Sequence, residues 1–174
     1  MIIKYSITFL DYWHIGSGLS GGALYDSLVL KDKNRMPYIP GKTIKGLVRE
    51  NFENITSEDF SKEVFGYEDG KVSKLVFSNA YMDKDEYGSI VAQNLQDMLY
   101  DRLAFTKINN RGIAEDDTLR EIEVTVPLSL YGEIEILEEV DLDKIIQALK
   151  MVKRMGLNRN RGLGRCHIEI KDVK

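Results

Sequence analysis

The period of the hydrophobic positions changes several times along the chain. "IIKYSITFL", residues 2–10, alternates apolar and polar side chains, and that period of two predicts a half-buried strand. "SLVL" at 27–30, with its flanks, predicts a second, shorter strand. After "PYIPG" the spacing becomes helical: Ile44, Leu47, Val48 and Phe52 fall near one face, with Pro40 and Gly41 at the start. Period two returns in "SKLVFSNAYM" and in "REIEVTVPLSLYGEIEIL"; the latter is broken by Pro127 and is expected to turn near Tyr131 and Gly132. "DLDKIIQALKMVKRMG" predicts the strongest helix. Asp141 is its cap, Leu142, Ile145, Ile146, Leu149 and Val152 are its apolar face, and Gly156 is its end. "CHIEI" closes the pattern as a strand.

Strand, helix, strands, helix, strand is the order of an α+β fold of ferredoxin-like or RRM-like type, an antiparallel sheet with helices on one face. Residues 83–120 interrupt it. They show little periodicity beyond a short helix around "AQNLQDMLYD" and are expected to form an insertion that projects from one domain spanning 1–174.

Composition narrows the class. With 174 residues, 43% hydrophobic and 30% charged, the chain can bury a sizeable core and is well clear of disordered compositions. The single Cys166 excludes an intrachain disulfide and a cysteine-rich zinc site. "MIIKYSITFL" lacks the unbroken apolar run of a signal peptide, and no stretch is long and apolar enough for a membrane span, so a cytoplasmic location is expected.

A formal net charge of -4 would argue against a polyanionic partner if charge were spread evenly, but phosphate contacts are made by patches. "KMVKRMGLNRNRGLGR", residues 150–165, carries six cations and no acid, and Lys42, Lys45 and Arg49 form a second basic set. The acids concentrate elsewhere, as in "SEDFSKEVFGYED" and "EIEILEEVDLD", so the charge reads as segregated. A helix C-cap complemented by basic residues would explain one or two of these cations, not the whole array.

Two glycine motifs fail on context. "GSGLSG" has dinucleotide-binding spacing, yet the sequence after it is strand-like and opens no helix. "PGKT" lacks the glycine five residues before Gly41, where Met36 stands; what remains is a helix N-terminus beside Lys42, suited to one phosphate. The histidines are His14 and His167. His167 alternates within the last strand and reads as structural, whereas His14, beside a glycine-rich turn, reads as the more open. No spacing indicates a zinc site or a Ser-His-Asp triad, so any metal is expected to be loosely held magnesium.

"GLNRNRGLGRCHIEI" resembles the C-terminal glycine-rich loop of the RAMP superfamily of CRISPR proteins. "WHIGSG", "ALYDSLVLKDKNRMPYIPGKTIKGLVRENF" and "TLREIEVTVPLSLYGEIEI" are similar to further segments of that superfamily, in its order. Within it, the chain is most similar to the repeated backbone subunit of type III effector complexes, also a target-RNA nuclease. The resemblance implies an RRM-like core, a thumb-like insertion, and assembly of copies along a guide crRNA with other effector subunits and a single-stranded target RNA, away from membranes. It implies catalysis by Asp26 in "LYDS", with loosely bound magnesium serving RNA cleavage. It further implies RNA binding by His14, Lys42, Lys45, Arg49, Gly156, Asn158, Arg159, Arg161, Gly162, Gly164 and Arg165. Leu28 stands where the family commonly has proline two residues after the aspartate, and the chain is shorter than that subunit. A non-catalytic guide scaffold and a crRNA-processing endoribonuclease using His14 are the alternatives; the latter commonly carries two such units in tandem.

Overall fold

The computed structural model describes residues 1–22, 25–66, 72–113, 115 and 118–174. A four-stranded antiparallel sheet is built from β1 (Ile2–Phe9), β2 (Leu75–Phe77), β5 (Ser129–Ile136) and β6 (Cys166–Val173), in the order β2-β5-β1-β6. Helix α1 (Gly41–Ile55) connects β1 towards β2, and α4 (Leu142–Met151) connects β5 to β6. Without the segments between them, this is the βαββαβ ferredoxin-like order the periodicity predicts.

Alternation decides the faces. Ile3, Tyr5, Ile7 and Phe9 of β1 are buried, as are Leu130 and Ile134 of β5 and Cys166 and Ile168 of β6; Lys4, Tyr131, Glu133, His167 and Glu169 are exposed. Onto the apolar face α1 lays Ile44, Val48 and Phe52, spaced one turn apart and each 0% exposed, and α4 lays Ile145, Ala148 and Leu149. Burial of each large aliphatic or aromatic side chain contributes about 1.5–3 kcal/mol, so this face decides where both helices sit. Gly41 is needed at the start of α1 because a Cβ there would overlap the Phe77 carbonyl.

Several elements differ from expectation. "SLVL" forms no strand: Ser27, Val29 and Lys31 make isolated bridges to three different partners, Ile122, Gly16 and Pro37. Tyr131 and Gly132 lie inside β5, and the chain turns around Pro127; Gly132 faces Tyr5, whose ring occupies the space a Cβ would need. α4 ends at Met151, before Gly156, though Val152 and Met155 beyond it remain buried. An unpredicted helix, α2 (Glu58–Phe65), follows α1; Ser57 caps it by accepting the Phe60 N–H, and Gly66 ends it.

The stretch 83–120 is more ordered than expected. Helix α3 (Lys84–Ala92) precedes the predicted position, and a 3-10 turn (Gln96–Leu99) falls within it. Tyr87, Ile90, Val91 and Leu99 rest against the main core, so this half does not project. What stands apart is the hairpin of β3 (Tyr100–Phe105) and β4 (Arg120–Thr125), a separate two-stranded sheet.

Residues 12–15, just past β1, tie this hairpin to the main sheet. Trp13 exchanges both backbone hydrogen bonds with Thr125 of β4, at 3.1 and 2.8 Å, and stacks on Phe9 at 4.3 Å. His14 is fully buried, which reverses the expectation of an open histidine; His167 is the exposed one. The Glu123 carbonyl at 2.6 Å can only accept, so His14 Nδ1 donates to it and Nε2 accepts from the Ser27 hydroxyl at 3.0 Å. Loss of hydration lowers the His14 pKa below its usual 6.5, although the Glu123 carbonyl and charge pull the other way. A base depressed in the folded state contributes stability that is present above the unfolded value and is lost as pH falls through the folded one. The His14 ring is therefore expected to remain mostly neutral at pH 6.5 in an NMR titration, with thermal stability declining on further acidification. Half-protonation of His14 at or above pH 6.5 would contradict this.

Candidate nucleic-acid interface

The glycine-rich loop 156–165 lies between α4 and β6 and wraps the same 12–15 segment. Leu157 N–H donates to His14 O at 2.9 Å, and Gly164 N–H to Tyr12 O at 2.8 Å. Gly156 (φ 93°) and Gly164 (φ 70°) occupy backbone that side chains disfavour, and a Cβ at either would overlap a carbonyl, of His14 or of Met155. These two glycines therefore serve close packing of the chain on itself. Gly162 (φ 93°) faces open space, and Asn158 (φ 56°) accepts the Arg161 and Leu163 N–H groups to close the turn.

Leu163 of this loop packs with Ile122 and Val124 of β4 in a second, smaller core bordered by Tyr12, Leu103 and Phe105. Arg120 shares the strand face of Ile122 and Val124, so alternation turns it towards the loop. There a cleft of about 630 Å³ opens between hairpin and loop, lined by Phe105, Thr106, Lys107, Thr118, Arg120 and Arg161. Arg120 and Arg161 have no side-chain acid partner among the described residues, and Lys107 pairs with Glu115 at 2.8 Å. Lys107 and Arg120 were not among the residues the sequence singled out. They are distant from both basic clusters, and only the hairpin fold brings them to Arg161.

Three of the other cations in the two basic sets are paired with acids. Arg49 pairs with Glu53 at 2.9 Å, Arg159 with Glu50 at 3.8 Å and Arg165 with Asp11 at 3.3 Å. The charge segregation is thus partial: chain neighbours on α1 and at the β1 exit supply acids that a linear reading overlooks. Such exposed pairs are worth about 0–1 kcal/mol, little enough for a phosphate to displace. The Arg159–Glu50 contact also places α1 beside the loop, so the two basic sets adjoin. Lys42 is exposed near the N-terminus of α1, where the Gly41 N–H is already donated to Asn79 Oδ1 at 2.9 Å. Lys45 is half-buried, and its pKa is lowered by burial and then by Arg49.

Asp26 lies on the other side of β4. Its N–H donates to Glu121 O and its Oδ2 accepts the Glu121 N–H, both at 2.7 Å, so it is pinned one residue from Arg120. The following segment continues along the strand: Glu123 N–H donates to Ser27 O, and the Glu123 carboxylate accepts from Val29 N–H at 3.0 Å and Lys31 Nζ at 2.7 Å. Asp26 is exposed and keeps one carboxylate oxygen uncommitted to any hydrogen bond among the described residues. No group of three or more His, Cys, Asp or Glu among the described residues could hold a metal ion.

A larger cleft, about 890 Å³, lies by the sheet's outer face around Tyr81 and Tyr131. Its lysines, Lys4, Lys84 and Lys171, are matched by Asp83, Asp85 and Glu133, so it offers a phosphate backbone no excess of positive charge. No helix among the described residues is long and apolar enough to cross a membrane.

No curated protein matches the sequence. Solved structures similar in fold include two from type III-B complexes. A chain of the type III-B Cmr-beta complex bound to cognate target RNA superposes with a TM-score of 0.75 at 22% identity, over 99% of this chain and 59% of that one. A chain of the apo state of type III-B Cmr-beta gives 0.71 at 14% identity, over 100% and 99%. This chain thus spans about three-fifths of the first relative's length and nearly all of the second's. At these identities the likeness carries the fold. The sequence profile of the RAMP superfamily matches residues 6–167, almost the entire domain with its hairpin and glycine-rich loop, and the chain belongs to that superfamily.

Proposed function

We propose that the chain is an RNA-binding backbone subunit of a type III CRISPR effector complex. In this reading copies assemble along a guide crRNA beside other effector subunits, and Asp26 supports cleavage of a complementary single-stranded target. The observation that carries the reading is the cationic cleft between hairpin and glycine-rich loop, with Asp26 fixed to the residue next to Arg120. Membership of the RAMP superfamily and the fold shared with a Cmr-beta chain from a target-bound complex support it.

Arginine suits this cleft because its planar fork binds two phosphate oxygens at once, while Phe105 offers a ring for base stacking. RNA running through the cleft would lie along β4, whose Glu121 holds Asp26. The free Asp26 oxygen can take a proton from, or orient, a 2′-hydroxyl for attack on the adjacent phosphorus; the bond to the next nucleotide's 5′-oxygen breaks, that oxygen takes a proton from water, and a 2′,3′-cyclic phosphate is left. Magnesium would be held there jointly by Asp26 and the RNA, and would supply charge neutralisation at the phosphate. His14 is buried and has no access to RNA, which counts against a processing nuclease that relies on it as acid or base. The scaffold reading keeps one observation in its favour: Asp26 already has structural work in accepting the Glu121 N–H.

The expected outcomes concern binding and cleavage. The purified chain should bind single-stranded RNA with log affinity falling against log salt at a slope of about -3, from four phosphate contacts at about 0.7 each. Changing Arg120 and Arg161 together to alanine should reduce that slope by about 1.4, measured by fluorescence anisotropy. An unchanged slope would remove the cleft from the binding surface. The assembled complex should cut a guide-complementary RNA, and Asp26→Asn, which retains an acceptor for the Glu121 N–H, should slow single-turnover cleavage by about a hundredfold or more at unchanged RNA affinity. A target with a 2′-deoxy sugar at the scissile position should resist cleavage. A parent complex that cuts nothing with magnesium present would leave the scaffold, and parental cleavage by Asp26→Asn would remove Asp26 from the chemistry.

A further inference from the structure

We infer that His14, Glu123 and Ser27 are positioning residues that couple RNA occupancy of the hairpin–loop cleft to the placement of Asp26; the coupling to cleavage rests on the nuclease reading above. Residues 25–31 belong to no regular strand; on one side they bond to residues 15–21, as Leu30 N–H does to Ile15 O and Leu28 N–H to Leu19 O, and on the other a short list of bonds sets their register along β4. Asp26 meets the Glu121 backbone, Ser27 meets β4 at Ile122 and gives its hydroxyl to His14, and Val29 N–H and Lys31 Nζ share the Glu123 carboxylate. Each of these bonds ends on β4 or on His14.

His14 is where the glycine-rich loop, the hairpin and the Asp26 segment meet. Its carbonyl accepts the Leu157 N–H of the glycine-rich loop, its ring Nδ1–H holds Glu123 of the hairpin, and its Nε2 holds Ser27, next to Asp26. Tyr12 and Trp13, the two residues before it, repeat the ties, to Gly164 and to Thr125. RNA that draws Arg161 and Arg120 towards one backbone would fix loop and hairpin relative to each other. Through His14 it would then fix the segment carrying Asp26. An imidazole and a carboxylate, both buried, are a costly way to hold a loop that apolar packing could hold. What they add is direction, since each bond is satisfied in one register only.

The test uses Ser27→Ala, which removes one hydroxyl and leaves the cleft, Asp26 and the Glu123 carboxylate in place. Amide hydrogen exchange is read at Asp26 and Val29 in the purified chain, with and without an oligouridylate, and cleavage is read in the assembled guide complex. In the parent, RNA should slow exchange at these amides about tenfold or more. In Ser27→Ala that slowing should be lost, single-turnover cleavage should fall about tenfold or more with guide and target affinities within about twofold, and Ser27→Thr should restore both. Equal RNA-induced slowing in parent and Ser27→Ala overturns the coupling, and faster exchange with parental cleavage overturns the positioning of Asp26. If the parent complex does not cut, the nuclease reading fails, and the exchange measurement alone decides whether the coupling exists.

Discussion

Burial of Trp13, His14 and Ile15, in the segment that leaves β1, is the constraint on which the rest depends. A ferredoxin-like sheet needs only strands and two helices, but this chain must also hold a separate hairpin and a long glycine-rich loop, neither of which buries enough surface to fix itself. Trp13 solves the first problem by pairing with Thr125 and filling the space beside Phe9. The carbonyl of His14 solves the second by capturing Leu157, at the point where Gly156 allows backbone to approach backbone. The cationic cleft is then a by-product of geometry: two elements held to one short segment must leave a gap where they diverge, and Arg120, Lys107 and Arg161 line it.

The elements legible in the sequence were those set by a single periodic face. β1, α1, α4 and β6 each present buried residues at period two or near 3.6, and the pattern found them all. The elements missed lack such a face. In α2 Val64 and Phe65 are buried side by side, yet the acids around them dominate the pattern, and its Ser57 cap and Gly66 stop were the available signals. The 27–30 stretch carries strand-like residues whose partners lie in three places, which no local rule can assemble. Gly132 looked like a turn because glycine usually marks one; its actual cause, the Tyr5 ring on the neighbouring strand, is a contact across 127 positions of sequence.

The site was legible in its cations and opaque in their arrangement. Charge runs at 150–165 and on α1 announced a basic surface, and the Arg159–Glu50 contact shows that they adjoin. Which cations stay free depends on Glu50, Glu53 and Asp11, whose proximity follows from the helix period and from the β1–β6 junction. Arg120 and Lys107 came into view only once β3 and β4 paired. His14 reads as open in the sequence because a glycine-rich turn follows it, although its backbone and ring are both committed inside the protein.

The most direct measurement of the central claim is a cryo-EM map of the chain assembled on guide RNA with a complementary target. RNA phosphates are expected within hydrogen-bonding distance, about 3 Å, of the Arg120 and Arg161 side chains, with the exposed oxygen of Asp26 facing a target ribose. RNA lying instead across the outer sheet face, against Tyr81 and Tyr131 with the hairpin–loop cleft empty, would contradict it.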